Sequence, residues 1–412
     1  MAKTLSEAPF LNLFDPAFLA DPVTAVAALR SQSSVIRTPI GAMIVDPSQV
    51  HELLRERSLH SSLLNLVRLQ GVTEGPIYEM AASSLLAKEG EDHTRIRRLV
   101  SRSFTPRAAD GHRGFMRDLV TELVDGFAPS GECEFMTDFA DHYPVQVIAH
   151  LMGVPREDHP LFARWGDSLT HLLSLELSLY REEIQAAQTA MSSYLTDLVA
   201  DRRRQSRDDL VSELIAARDG PDRLDDQELM SLLGGLLFAG YDTTRNQLAV
   251  AMTIFSQLPA EWARLADNPE LAPQAVEEVM RMGGVVSVIP RVATCDLEVG
   301  EWIVPAGTLV SLSLAGANHD PAVYGHPDCF DTDRFDPGEP RPEGQVGFGG
   351  GAHHCLGASL ARAEMQEALP ILARAMPDMK VAGEPEWRSP LVGISGPLRL
   401  SLRFTPFRGC AT

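Results

Sequence analysis

The stretch GFGGGAHHCLG (347–357) sets one cysteine behind three consecutive glycines and two histidines, and ASLARAEMQEAL follows with helical character. Three chemistries use such residues. A phosphate cradle wants a glycine-rich turn after a strand, with a lysine or a G-x-G-x-x-G register. Gly347, Gly349 and Gly350 nearly fit, but no lysine follows and no βαβ pattern surrounds them. A zinc site spaces its ligands by about two to five residues and draws on a second Cys/His cluster, whereas His353, His354 and Cys355 are adjacent and no second cluster exists. The third chemistry is a single thiolate at a helix start. The helix dipole and unpaired N–H groups stabilise the anion there, and glycines let N–H groups approach the sulfur. One thiolate on one iron is haem–thiolate ligation, which pushes electron density toward O–O cleavage. A structural cysteine on a glycine turn is the alternative use of the same residues.

A second candidate, AGYDTT (239–244), places Asp242 beside Thr243 in an otherwise apolar segment. A buried carboxylate without a partner is costly, so the pair needs a reason. One reason is proton delivery through a positioned acid and alcohol. The other is a threonine bonded back to its own helix, with Asp242 reaching a surface cation. In AVEEVMR (275–281), Glu278 and Arg281 share a helical face at i,i+3. Taken alone this is an ordinary surface ion pair.

FGGGAHHCLGASLAR (348–362) resembles the cysteine signature of the cytochrome P-450 family, F-G-x-G-x-H-x-C-x-G, at Phe348, Gly349, Gly351, His353, Cys355 and Gly357. AGYDTT resembles the family's A-G-x-D-T-T pattern, and AVEEVMR its E-x-x-R helix. ANHDP (317–321) and DTDRFDP (331–337) resemble its downstream segments. The resemblance implies a soluble, bacterial-type haem-thiolate monooxygenase with haem b. It makes Cys355 the axial metal ligand, with Phe348 and Gly349 beside it. Ala239 and Gly240 would leave room for dioxygen over the haem. Thr243 would hold reduced dioxygen and its waters, and Asp242 would relay protons. Glu278, Arg281 and Arg334 would form a buried triad that locks the cysteine loop. His93, Arg97, Arg291 and His353 match positions that contact the haem propionates. AKEGED, just upstream, departs from the Asp-Pro-Pro that often precedes this helix.

The resemblance also implies a substrate pocket that includes Leu63, Leu66, Val285, Val286, Val288, Ile289, Val392 and Ile394. Their apolar character suggests a hydrophobic small molecule (a terpenoid, steroid or fatty-acyl chain) that is hydroxylated. Electrons would come ultimately from NAD(P)H through a redox partner, expected to be a ferredoxin-type donor with a ferredoxin reductase. Arg95, Arg97, Arg98, Arg102 and Arg107 in RIRRLVSRSFTPR form a basic patch suited to an acidic partner. Two rival readings use the same haem: a peroxide-driven peroxygenase, whose members tend to lack the acid–alcohol pair, and a non-catalytic ligand sensor, which has no need of a relay.

A mostly helical chain has to position these groups. Apolar residues recur at helical spacing in 111–127, with Phe115, Leu119, Leu123 and Val124 on one side, and again in 183–205. The segment 224–258 is apolar nearly all round, which predicts a helix through the interior, and Asp225 with Glu228 predicts a capping box at its start. Strand character is limited to 292–314, broken at Gly300 and Pro305–Gly307, and to the alternating LRLSLRF at 398–404. The expectation is mainly α with minor β-sheets, the cytochrome P-450 fold, as a single large domain over 1–412. The 412 residues carry a net charge of −20, which disfavours nucleic acid and anionic membranes as partners. The most apolar stretch, 229–240, falls short of the roughly 20 residues a membrane span needs. Five scattered cysteines without a C-x-x-C fit a reducing compartment. With no signal-peptide pattern in the first residues, we expect a cytoplasmic monomer without a membrane anchor.

Overall fold

The computed structural model describes residues 2–218, 224–338, 344–389, 391 and 393–406; Val392, of the expected pocket, lies outside them. The helices that position the site are α1 (Gly90–Val100), α2 (Arg113–Phe127), α3 (Tyr143–Leu151), α4 (His159–Thr170), α5 (Arg181–Arg204), α6 (Asp226–Ser256), α7 (Pro259–Asp267), α8 (Ala272–Gly283) and α9 (Ala358–Ala375).

α6 is the axis. Its 31 residues span about 46 Å, and α3, α4, α5, α8 and α9 all pack on it. The predicted capping box closes its start: Glu228 N–H donates to Asp225 Oδ1 at 2.7 Å, and Asp225 N–H to Glu228 Oε2 at 3.0 Å. Most α6 side chains from Leu229 to Phe255 are buried, including Asp242, Arg245, Asn246 and Gln247. The main core gathers the buried faces of α1 to α9. In α2, Leu119 and Val124 are buried in it, while Phe115 and Leu123 pack against its edge.

A five-stranded sheet lies beside this body, in the order Val35–Thr38, Gly41–Ile44, Leu309–Ser313, Val288–Ala293, Leu59–Ser61. Its third pairing is antiparallel, register Val288 with Ser313 and Val292 with Leu309. The expected breaks at Gly300 and Pro305–Gly307 fall between Leu297–Val299, Trp302–Val304 and Leu309–Ser313.

Two local expectations are corrected. Residues 398–404 form two strands in different sheets: Pro397–Arg399 pairs with Glu386–Trp387, and Ser401–Arg403 lies between Glu132–Glu134 and Lys380–Val381. The break is at Leu400, whose N–H donates to Glu134 Oε1 at 2.7 Å and whose carbonyl accepts from Phe135 N–H at 2.9 Å. The helix after the cysteine starts at Ala358, with Gly357 as N-cap, so Cys355 precedes the helix instead of opening it.

Candidate active site

The cysteine loop is a set of glycine turns pressed against the sheet. Gly349 (φ +70°) and Gly351 (φ +65°) take left-handed backbone conformations. A Cβ at Gly351 would stand 2.4 Å from the Leu54 carbonyl oxygen, so no side chain fits there. Cys355 N–H donates to the Phe348 carbonyl at 2.9 Å, closing the loop behind the sulfur. The Phe348 ring lies under the Arg362 guanidinium, 4.3 Å from its centroid. Cys355 is exposed by surface area, yet dense protein surrounds it. Burial pushes its thiol up, while the Gly357 N–H and the cations Arg97 and Arg362 draw it down. Among the described residues no group of three or more His, Cys, Asp and Glu side chains could hold a metal ion.

Along α6 the open positions fall on one line. Gly235 and Ala239 are exposed and Thr243 is half-buried, at i, i+4 and i+8, whereas Leu236, Leu237, Tyr241, Asp242 and Thr244 are buried. A Cβ at Gly235 would meet nothing within 4 Å. Gly240 instead backs onto Ile148, where a Cβ would approach to 3.2 Å. The small-residue stripe is the side of α6 that faces open space.

The four expected propionate residues converge only in part. His93 is 3% exposed, its ring 4.3 Å from that of His353, and its Nε2 has no hydrogen-bond partner. Burial, then His353 and Arg97, push its pKa down to about 4. Arg291 donates to the carbonyl of its neighbour Pro290 at 3.1 Å; burial pulls it down, and Glu89 alone offsets this. His93, Arg291 and His353 line one cleft of about 790 Å³. Arg97 turns instead to the His354 carbonyl, at 2.5 Å.

Sequence reading missed Glu89. It stands at the N-cap position of α1, with its side chain used elsewhere, where AKEGED departs from the usual pattern, and Gly90 there has φ +59°. Its Oε1 accepts from Ser61 N–H at 2.5 Å and lies 3.1 Å from His353 Nε2. A dianionic group with an iron at its centre fits this set: a lone cysteine sulfur, two guanidinium groups, two imidazoles with an unused buried nitrogen, and an open small-residue helix face.

Glu278, Arg281 and Arg334 are brought together in burial. Glu278 and Arg281 are fully inaccessible. Glu278 Oε1 also accepts from Arg334 Nε at 3.1 Å and from Asp331 N–H at 2.9 Å. The pair is therefore no surface ion pair.

The Asp242 and Thr243 side chains go to different partners. Thr243 Oγ1 donates to the Ala239 carbonyl at 2.7 Å. Asp242, 0% exposed, receives both Nη atoms of Arg388 at 2.8 and 2.7 Å and Asn246 Nδ2 at 2.9 Å. Arg245 Nη1 lies 3.5 Å away and also holds Asp167 at 3.0 Å, while its Nε holds Asp141 at 2.5 Å. The cation that Asp242 reaches is thus buried, and no sequence pattern marks Arg388 in EPEWRSP.

The expected apolar pocket is partly assembled. Val285 and Ile394 are buried together with Val250, and Leu173, Phe238, Ile254 and Val286 pack against them. Ile289 packs on the cluster of Leu54, Val310 and Val346. Val288 turns the other way, to Ile36 and Met43, because successive strand residues face opposite sides. Leu63 is buried in the main core, and Leu66 is half-buried.

The family model for cytochrome P450 matches residues 259–374, which include the triad helix and Cys355. Over 404 residues the chain is 38% identical to luteothin monooxygenase of Streptomyces thioluteus, covering 97% of each chain. It is 40% identical over 329 residues to mycinamicin IV hydroxylase/epoxidase of Micromonospora griseorubida, covering 78% of this chain and 80% of that one. Its fold is also like that of a myxobacterial cytochrome P450 in complex with myristic acid, with a TM-score of 0.85 and 31% identity, covering 95% of this chain and 98% of that one.

Proposed function

This chain belongs to the cytochrome P450 family and is a haem-thiolate monooxygenase, and from that premise we propose that it hydroxylates a hydrophobic small molecule of terpenoid, steroid or fatty-acyl type. The observation that carries the substrate class is the apolar wall of Val285, Ile394, Val286, Phe238 and Leu173. The myristic acid held by the related myxobacterial protein gives a first substrate to test.

Haem, when bound, supplies the reductive activation of dioxygen. The overall change takes substrate, dioxygen, two electrons and two protons to the hydroxylated product and water. In our reading Cys355 is the protein ligand, with Arg97 and Arg362 favouring its anion and the Gly357 N–H donating to it. Arg291 and Arg97 would supply positive charge to the propionates, Arg97 after releasing the His354 carbonyl, and His93 and His353 would offer them ring nitrogens for hydrogen bonds. Thr243 holds dioxygen and water by its hydroxyl, Ala239 leaves them room on the open line of α6 while Gly240 serves the packing on Ile148, and Asp242 is the carboxylate through which protons arrive. Glu278, Arg281 and Arg334 are structural.

The family draws its electrons from redox partners. A ferredoxin-type donor with its reductase, fed by NAD(P)H, is our choice. The docking surface we propose lies on the basic run, where Arg95 holds Glu228 at 2.5 Å and Arg97 reaches the His354 carbonyl. Arg98, Arg102 and Arg107 are exposed and form that surface. We keep the reading of one domain over 1–412, acting as a cytoplasmic monomer. No described helix is long and apolar enough to cross a membrane.

The test is turnover of myristic acid by the holoenzyme, with NADPH, ferredoxin and ferredoxin reductase in one arm and hydrogen peroxide alone in the other. Hydroxylated product in the first arm supports the reading. Product only with peroxide replaces it with the peroxygenase. Failure of myristic acid to shift the Soret band removes the fatty-acyl class.

A further inference from the structure

The cations around Asp242 crowd it. A carboxylate offers about four lone-pair sites. Arg388 takes two, one on each oxygen, and Asn246 one, while Arg245 Nη1 stands 3.5 Å from Oδ1. The Thr170 hydroxyl, close by, donates to the Gly166 carbonyl at 3.3 Å. Departure of Arg388 would open both oxygens to a water or to the Thr243 hydroxyl.

The donors differ in how they are held. Asn246 and Arg245 ride on α6 itself, and Thr170 on α4. Arg388 alone comes from an irregular segment, the connection between Glu386–Trp387 and Pro397–Arg399. That connection also carries part of the apolar wall. Ile394 packs with Val285, Ser395 N–H donates to the Val285 carbonyl at 2.8 Å, and the Leu391 carbonyl accepts from Leu175 N–H at 3.1 Å. A Cβ at Gly396 would stand 2.1 Å from Asn246 Oδ1, so the segment lies directly on α6.

We propose that Arg388 is a positioning residue that couples the 388–396 segment to Asp242, so that occupancy of the apolar wall decides whether Asp242 can accept a proton-carrying donor. The proposal rests on the reading of Asp242 as the carboxylate through which protons arrive. Burial pushes the Asp242 carboxyl up; Arg388, then Arg245 and Thr170, hold it below the usual carboxylate range. The other titratable groups facing it are Asp167 of α4, His171 after α4, and Tyr241 of α6; Asp141, with His142 beside it, faces Arg245 and Arg388 instead. Loss of Arg388 removes the stronger of the two cations that oppose burial, so the carboxyl moves up.

The experiment uses holoenzyme variants Arg388→Met, Arg388→Lys and Asp242→Asn. Amide hydrogen exchange, followed by mass spectrometry, reads the coupling without turnover. Arg388→Met and Asp242→Asn are each expected to raise exchange several-fold in 388–396, and Arg388→Lys to restore most of the protection. Oxygen consumption with ferredoxin, its reductase and NADPH, without added substrate, reads proton delivery. Arg388→Met is expected to move the pH profile of its solvent isotope effect upward, and a merely structural arginine would not. Unchanged exchange and an unchanged profile in Arg388→Met, with Asp242→Asn still altering the isotope effect, overturn the coupling alone. An unchanged isotope effect in Asp242→Asn overturns the relay reading beneath it.

Discussion

Arg281 and Glu278 hold each other through two hydrogen bonds at complete burial, Nε to Oε2 at 2.7 Å and Nη2 to Oε1 at 2.8 Å. Arg281 Nη1 also donates to the Asn318 and Pro327 carbonyls, at 2.9 and 2.7 Å. Asn318 Oδ1 in turn accepts from Val346 N–H at 2.8 Å, where the cysteine loop begins. One guanidinium therefore links α8 to the loop that carries Cys355. Replacing it leaves Glu278 charged and without its main partner, which costs about 3–5 kcal/mol. We expect Arg281→Met to unfold at lower denaturant and to retain little haem, seen as loss of the long-wavelength Soret band of the reduced carbon monoxide complex. The double variant Glu278→Gln/Arg281→Met is expected to cost less than the two singles added together.

Thr243 stands on the open line of α6, its hydroxyl parked on the Ala239 carbonyl. Alanine keeps the helix and removes only that hydroxyl. Thr243→Ala is expected to go on consuming NADPH while hydrogen peroxide replaces most of the product, and Thr243→Ser to recover part of the coupling. Measuring product and peroxide per NADPH decides it; full coupling in the alanine variant removes Thr243 from the reaction.

What was legible in the sequence followed from how local each constraint is. The cysteine loop is written in consecutive residues, because φ above zero at Gly349 and Gly351 and the close Leu54 carbonyl admit no other residue. The α6 capping box and its all-round apolarity are equally local. The Glu278–Arg281 spacing was visible by itself, but its burial followed only from the family resemblance, since it depends on carbonyls at 318, 327 and 329. Arg388 and Glu89 were invisible. Each acts on a partner more than a hundred residues away, Asp242 or His353, and neither lies in a pattern that sets it apart from a solvated charge. Leu400 broke an alternating strand for the same reason: Glu134 claims its N–H from across the chain.

Arg98 and Arg102 are exposed on the same run in which Arg95 holds Glu228 and Arg97 reaches the His354 carbonyl. Exposed charges act on the rate of encounter and are screened by salt. Arg98→Glu/Arg102→Glu is expected to slow reduction by ferredoxin at low salt by about tenfold or more, with little effect on reduction by dithionite. The difference should shrink as salt rises. A stopped-flow reduction series against ionic strength measures this, and equal rates at low salt would place the donor elsewhere.

Glu364 sits on α9 with 2% exposure, its Oε2 without a partner, and burial alone pushes its carboxyl well above the ordinary glutamate value of 4.5. The folded protein therefore keeps a proton that the unfolded chain gives up. Stability from this group is fully present below that ordinary value and is lost as pH rises through the folded value. Glu364→Gln copies the protonated shape without the titration. The glutamine variant is expected to match the parent at acid pH and to exceed it increasingly between about pH 5 and about pH 8. Thermal melts of both holoproteins across that range give the difference directly; a gap that stays flat with pH would mean that Glu364 finds a compensating cation and carries its charge inside the core.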